Sequence, residues 1–265
     1  MIEIWDAMVI LIVISFLFCM VGFYKNGRYL AIGYGLAITG IGMALIVIEN
    51  MWAYRGTTTN YIQFVLLMLY GIRMAGFLLM REVDNATYLQ KSKESSKANV
   101  AIRIIRKIAL WLLASGLCVA QTLPVFFPLH NDSYPGAFVW IGIVICVGAI
   151  ALEVVSDIQN SLQKKEQPGM VATKGVYRLV RYPHSFGEIL FWTGILVSSL
   201  GSLIGFGQWI VAILSYVCIV LLVLGRIQRS ERIKMKRYRE NGEYLVYVSK
   251  TPILIPFVKL YHLSK

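Results

Sequence analysis

Seven apolar runs of about twenty residues each decide what this chain can fold into. They lie at about 4–24, 29–49, 61–80, 104–127, 136–156, 185–204 and 207–225. None alternates as a barrel strand would, and about twenty apolar residues is the length a helix needs to cross hydrocarbon. A helix also satisfies its own backbone polar groups, which lipid cannot do. Only 15% of the residues are charged, against about 25% in a soluble domain. A soluble enzyme, a disordered chain and a disulfide scaffold all fit badly. The expected fold is all-α: a polytopic membrane protein with seven transmembrane helices and a basic C-terminal amphipathic helix. The N-terminus is acidic at Glu3 and Asp6, and no small-residue cleavage site follows, so no cleavable signal peptide is expected.

The net charge of +12 is distributed rather than spread. Of 26 Lys and Arg residues, 24 fall after an odd-numbered run: Lys25 and Arg28, then Arg81 to Lys107, then Lys164 to Arg181, then Arg226 to Lys265. Arg55 lies in an opposite link and Arg73 lies within the third run. The positive-inside rule then puts the N-terminus outside and the C-terminus in the cytosol. The charge is thereby accounted for without nucleic acid. The four cysteines, Cys19, Cys118, Cys146 and Cys218, sit inside apolar runs and are expected to be small buried hydrophobes. Three histidines and no HExxH pattern give no metal site. Gly201 and Gly205 have small-xxx-small spacing and are expected to pack helices. Asn131, Asp132 and Ser133 spell a glycosylation acceptor, relevant only in a chain that passes through an endoplasmic reticulum. Short links and compact length favour a bacterial inner membrane.

Charged residues inside apolar runs are costly and are functional candidates by default. Here they are Glu49, Arg73, Glu153, Asp157, Glu188 and Arg226. At about 1.5 Å per residue, Glu153 lies about 25 Å into its helix, near the cytosolic side. Asp157 follows one turn later on the same face. Glu188 is in the first turn of the sixth run, and Arg73 is in the inner half of the third. These four either form interfacial ion pairs or line a polar pocket for a charged cytosolic cofactor. Pro183 can open the sixth helix, and Gly187 permits close backbone approach. Residues 226–247 are basic, with Ile, Met and Tyr interleaved. They suit a helix lying on anionic headgroups, a lid that brings cations to a phosphate ligand, or both.

The stretch Gly175–Gly194, GVYRLVRYPHSFGEILFWTG, resembles the C-terminal signature of the steroid 5α-reductase-like membrane proteins and their bacterial relatives, G-[LV]-[YW]-R-x-x-R-[HY]-P-N-[YF]-F-G-E. The resemblance extends to EVVSDIQNSLQK (Glu153–Lys164) and to TPILIP (Thr251–Pro256). It covers residues 150–256 well and 61–90 weakly. It implies an NADPH-binding C-terminal part (128–265) and, in 1–127, four helices around a cavity for an apolar substrate, a steroid or other lipid. Carried over residue by residue, it implies cofactor contacts from Glu153, Asp157, Lys164, Tyr177, Arg178, Arg181, His184 and Glu188, with Arg232, Lys236 and Tyr238 following. His184 stands where the family has Asn. Arg81 and Asp84 resemble positions near the adenosine end.

Tyr70, Arg73, Phe77 and Arg81 share one helix face. Tyr70 resembles the family's helix-3 tyrosine, which hydrogen-bonds the substrate carbonyl; it is equally suited to be a packed core aromatic. Tyr70 and Glu188 are the catalytic candidates. The family pairs that tyrosine with a glutamate in the cytosolic half of helix 2. Here that half reads IGYGLAIT, Ile32–Thr39, with no acid. The implied activity is reduction of an apolar enone by hydride from NADPH at the cytosolic mouth. Isoprenylcysteine-type methyltransferases, which bind S-adenosylmethionine, share R-H-P-x-Y-x-G, but Gly187-Glu188 follows the reductase pattern. A transporter or scaffold is the non-enzymatic alternative.

Overall fold

The computed structural model describes residues 4–21, 30–51, 57–86, 100–131, 136–167, 169–256 and 258, with the side chains of residues 4, 81–86 and 100–103 outside that description. Among the described residues the α-helices are α1 (Ile4–Cys19), α2 (Leu30–Met51), α3 (Thr58–Ala86), α4 (Val100–His130), α5 (Ala137–Glu166), α6 (Pro183–Ser199), α7 (Gly205–Arg237) and α8 (Gly242–Lys250), with one 3-10 turn at Gly175–Arg178. Among the described residues, five stretches are long and apolar enough to cross a membrane: Leu30–Met51, Thr58–Met80, Ile104–His130, Ala137–Glu166 and Gly205–Arg237. The protein is therefore an integral membrane protein. The described parts of α1 and α6 hold 16 and 17 residues, short of the length a perpendicular crossing needs.

Two expectations change. Gly201 and Gly205 do not share a helix: α6 stops at Ser199, Gly201 lies in the turn that follows, and Gly205 opens α7 with φ +72°. A side chain there would be strained, so the pair serves a tight connection. The basic stretch from Arg226 is not a separate helix either. It continues α7 without a break to Arg237, because no proline interrupts it and its Lys, Arg, Glu and Met residues are good helix formers. The chain then turns. The Asn241 side chain accepts the Tyr244 N–H at 3.0 Å and caps α8.

The chain forms two compact units, Met1–Trp140 with Ser198–Ser215, and Ile141–Val197 with Tyr216–Lys265. In the first, α2 and α3 run antiparallel along a small-residue seam. A Cβ added at Gly35 would lie 2.9 Å from the Gly71 carbonyl, and one at Gly71 would collide with the Gly35 carbonyl and Thr39. Between apolar helices in lipid, such close approach supplies the dispersion and packing energy that water cannot drive. Gly42 meets Phe64 and Met68 further along, and Tyr61 OH donates to Asn50 Oδ1 at 3.1 Å near the end. α4 is tied to α1 by Ser15 Oγ–H to the Ser115 carbonyl at 2.9 Å and by Trp111 Nε1–H to the Phe16 carbonyl at 3.1 Å. Asn131 Nδ2 donates to the Ser202 carbonyl at 2.7 Å and to Gln208 Oε1 at 2.9 Å, so its amide latches the end of α4. Cys19, Cys118 and Cys146 are buried free thiols; Cys218 is half-buried.

In the second unit α5 and α6 approach as closely. A Cβ at Gly194 would stand 2.8 Å from the Gly142 carbonyl, and one at Gly187 would collide with Glu153 Cγ. Thr193 and Tyr216 share a hydrogen bond at 2.9 Å and join α6 to α7. The α2–α3 seam predicts that Gly71→Ala destabilises the protein by about 1–3 kcal/mol through overpacking. Gly76, on the same helix with open space around it, provides the control. Gly76→Ala should be neutral or stabilising by up to about 1 kcal/mol. Unfolding midpoints in detergent check both, and equal behaviour of the two variants contradicts the seam.

Candidate functional site

The ends of α5, α6 and α7 in the second unit gather most of the charged residues singled out from sequence. Glu153 is fully buried and Asp157 is 9% exposed, one turn apart on α5. His184, the second residue of α6, places Nδ1 at 3.2 Å from Asp157 Oδ1 and 3.7 Å from Glu153 Oε2. One turn further, Glu188 forms an ion pair with Arg226 of α7. Gly187 makes this possible. A side chain there would occupy the space of Glu153 and push α5 away. The family's Asn position thus carries a histidine that bridges two buried carboxylates.

The segment between α5 and α6 is held by α5 itself. Gln163 Oε1 accepts the N–H groups of Thr173 and Lys174 at 2.8 and 2.9 Å, and Gln159 Oε1 accepts that of Val176 at 2.8 Å. These glutamines are i and i+4 on one face, which is a signal the sequence carries. Neither was expected in the site. Gly175 takes φ +69° directly over Gln159, where only glycine fits without strain. The C-terminal segment then straps the loop down. Arg181 N–H bonds the Pro252 carbonyl at 2.9 Å, Tyr182 N–H bonds the Ile253 carbonyl at 3.1 Å, and Tyr247 OH donates to the Tyr177 carbonyl at 2.7 Å. The resemblance of TPILIP to the family pattern therefore has a local physical cause: together with Tyr247 it frames the approach to α6.

Several candidates turn out to be bracing groups. Tyr177 OH donates to the Ser156 carbonyl at 3.2 Å, and Tyr238 OH donates to the Gly169 carbonyl. Burial, with the Asp157 charge second, pushes the Tyr177 phenol well above its usual range. Burial does the same to Tyr247 and pushes Tyr244 up to about 12. All three stay protonated at neutral pH, and Tyr177 and Tyr247 act as donors. Arg181 is an internal cation: its side chain is 2% exposed and lies 2.5 Å from Glu231. Glu231, absent from the sequence expectations, also accompanies Lys234, whose ammonium sits 4.2 Å over the Tyr182 ring. Lys164, Arg178, Arg232 and Lys236 are exposed, the last two one turn apart on α7. Buried carboxylates here can accept from amides and hydroxyls, while the exposed cations can pair with phosphate.

In the first unit Tyr70 is buried at 1% exposure, with the Arg73 guanidinium 5.6 Å from its ring centre. The α2–α3 contacts place Ile38 and Thr39 across from Tyr70, so no acid of α2 is at its level. Glu49 lies across from residues near 59, roughly 16 Å along the axis from Tyr70 at about 1.5 Å per residue. The side chains of Arg81 and Asp84 lie outside the described residues. Among the described residues no three His, Cys, Asp or Glu side chains are grouped to hold a metal.

The buried Arg181–Glu231 pair generates a stability prediction. Arg181→Met should cost about 3–5 kcal/mol, because it strands a largely desolvated carboxylate. Arg181→Met combined with Glu231→Leu should recover most of that loss, since apolar replacement of both partners removes the stranded charge. Denaturation in detergent, followed by tryptophan fluorescence, measures both; a double variant no better than the single contradicts the pairing.

No curated protein matches the chain. The profile of a protein family of unknown function, DUF1295, matches residues 31–251. That range takes in α2 to α8 and the Gly175–Gly194 signature, and ends just before the Pro252–Ile253 strap. This family is associated with steroid 5α-reductase-like proteins, and the chain belongs to it.

Proposed function

We propose that the protein is a membrane-embedded, NADPH-dependent reductase of an apolar enone, a 3-oxo-Δ4-steroid or another lipid. It sits in a bacterial inner membrane with seven spans, N-terminus out and C-terminus in the cytosol. One observation carries the reading: Glu153, Asp157, His184, Glu188 and Arg226 converge where α5, α6 and α7 approach, in a unit that also exposes Lys164, Arg178, Arg232 and Lys236. Those donors and acceptors suit the parts of a phosphorylated dinucleotide. Asp157 and Glu188 match its amide and hydroxyl donors, and the exposed cations match its phosphates. NADPH, when bound, supplies the hydride.

The remaining work falls to the chain. The Tyr70 hydroxyl donates to the substrate carbonyl and stabilises the oxygen as negative charge builds there. Apolar walls of the first unit exclude water and strengthen that bond. Glu188, oriented by Arg226, fixes the nicotinamide-side end. Arg181, Tyr177 and Tyr247 keep the loop into α6 rigid, so the contacts cost little ordering on binding.

Thermal shift of the purified protein tests the cofactor. NADPH should stabilise it and S-adenosylmethionine should not. Glu188→Ala should weaken NADPH binding by roughly 10- to 150-fold, the value of one charge-assisted contact. Stabilisation by S-adenosylmethionine alone would instead support the methyltransferase assignment. Tyr70→Phe should leave NADPH affinity unchanged and lower enone turnover by about 10²–10³, measured by mass spectrometry of the product from deuteride-labelled cofactor. Full turnover in Tyr70→Phe removes the hydroxyl from the mechanism.

A further inference from the structure

The first unit contains a second buried polar pair. Glu49 on α2 and Gln63 on α3 are 1% and 2% exposed. Among the described residues neither carboxylate oxygen of Glu49 and neither polar atom of Gln63 has a hydrogen-bond partner. Their helices bury apolar neighbours on the side toward Tyr70, Leu45 and Ile48 on α2 and Phe64 and Leu67 on α3, while Thr59 and Asn60 on the other side are buried and polar. The antiparallel register brings the two within about one helical turn of each other along the seam. Native proteins pair nearly all buried polar groups. A carboxylate and a carboxamide buried without partners near the end of two apolar helices point to a polar group that arrives with a ligand.

Gln63 and Tyr70 are seven residues apart, two turns of α3, so they share a face about 10 Å apart along the axis. Leu66 and Leu67 between them are apolar and buried. A hydroxyl can bridge the two: it donates to the Glu49 carboxylate and accepts from the Gln63 amide. We propose that Glu49 and Gln63 form a specificity anchor for an apolar substrate that carries a hydroxyl roughly 10–16 Å from the carbonyl held by Tyr70. The proposal rests on the reductase reading for the role of Tyr70, and it assigns to Glu49 substrate selection rather than catalysis.

Equilibrium binding to the full-length protein in lipid nanodiscs tests it, with and without NADPH. The probes are two 3-oxo-Δ4-steroids that differ only in a hydroxyl on the ring remote from the enone. The protein should bind the hydroxylated probe about ten- to a hundredfold more tightly, and Glu49→Met and Gln63→Met, close to the originals in volume, should each cut that preference to about threefold or less. If a methionine variant fails to fold, Glu49→Gln keeps the shape and loses the charge, and the preference should fall there too. Binding is measured without turnover, so the comparison holds even if NADPH has no effect, a result that would count against the cofactor assignment alone. Equal affinity for the two probes, binding of neither, or a preference intact in the variants overturns the anchor. So does a loss of thermal stability in Glu49→Gln with no change in preference, which assigns the pair to packing.

Discussion

The close contact of α5 with α6 at Gly187 is the constraint on which the second unit depends. Glu153 is a carboxylate with no solvent exposure, a costly arrangement unless something compensates it. Removing the side chain at position 187 lets α6 come near enough for His184 to reach both Glu153 and Asp157. The same approach sets Glu188 one turn along, where Arg226 of α7 meets it. Three helices thus become one charged cluster. The loop that starts α6 must then enter at one angle, which Gln159, Gln163 and the Pro252–Ile253 strap impose through backbone bonds.

The first unit solves a different problem with similar means. Its helices associate where glycines let backbones touch, and its polar side chains bond mostly to carbonyls, as Ser15 and Trp111 do. Other polar groups are buried in the same unit. Tyr70 is one, Glu49 and Gln63 are others. A layer so apolar suits a lipid-like ligand, whereas the second unit suits a charged one.

Much of this was legible in the sequence. Helix positions followed from apolar runs, and Pro183 marked the start of α6 because a first turn needs no N–H there. Glu153, Asp157 and Glu188 stood out because charge is rare in such runs. The site's bracing was less legible. Arg181 looked like a ligand cation, yet its partner Glu231 lies 50 residues away in sequence and only folding joins them. Gln159 and Gln163 carry no charge and look ordinary on any helix. The glycines at 201 and 205 had the spacing of a packing motif, but spacing alone does not say whether a helix runs through them. α7 ran on past Arg226 because helical propensity has no boundary at the point where hydropathy falls.

The central claim is that the Glu153–His184–Asp157 and Glu188–Arg226 cluster belongs to a nicotinamide dinucleotide site. Native mass spectrometry of the protein released from membranes without added nucleotide tests it most directly. The account predicts an adduct with the mass of NADP(H) on the wild-type chain, absent from a Glu188→Ala chain of unchanged helix content. An adduct of S-adenosylmethionine mass, or an NADP(H) adduct undiminished in the variant, would contradict it.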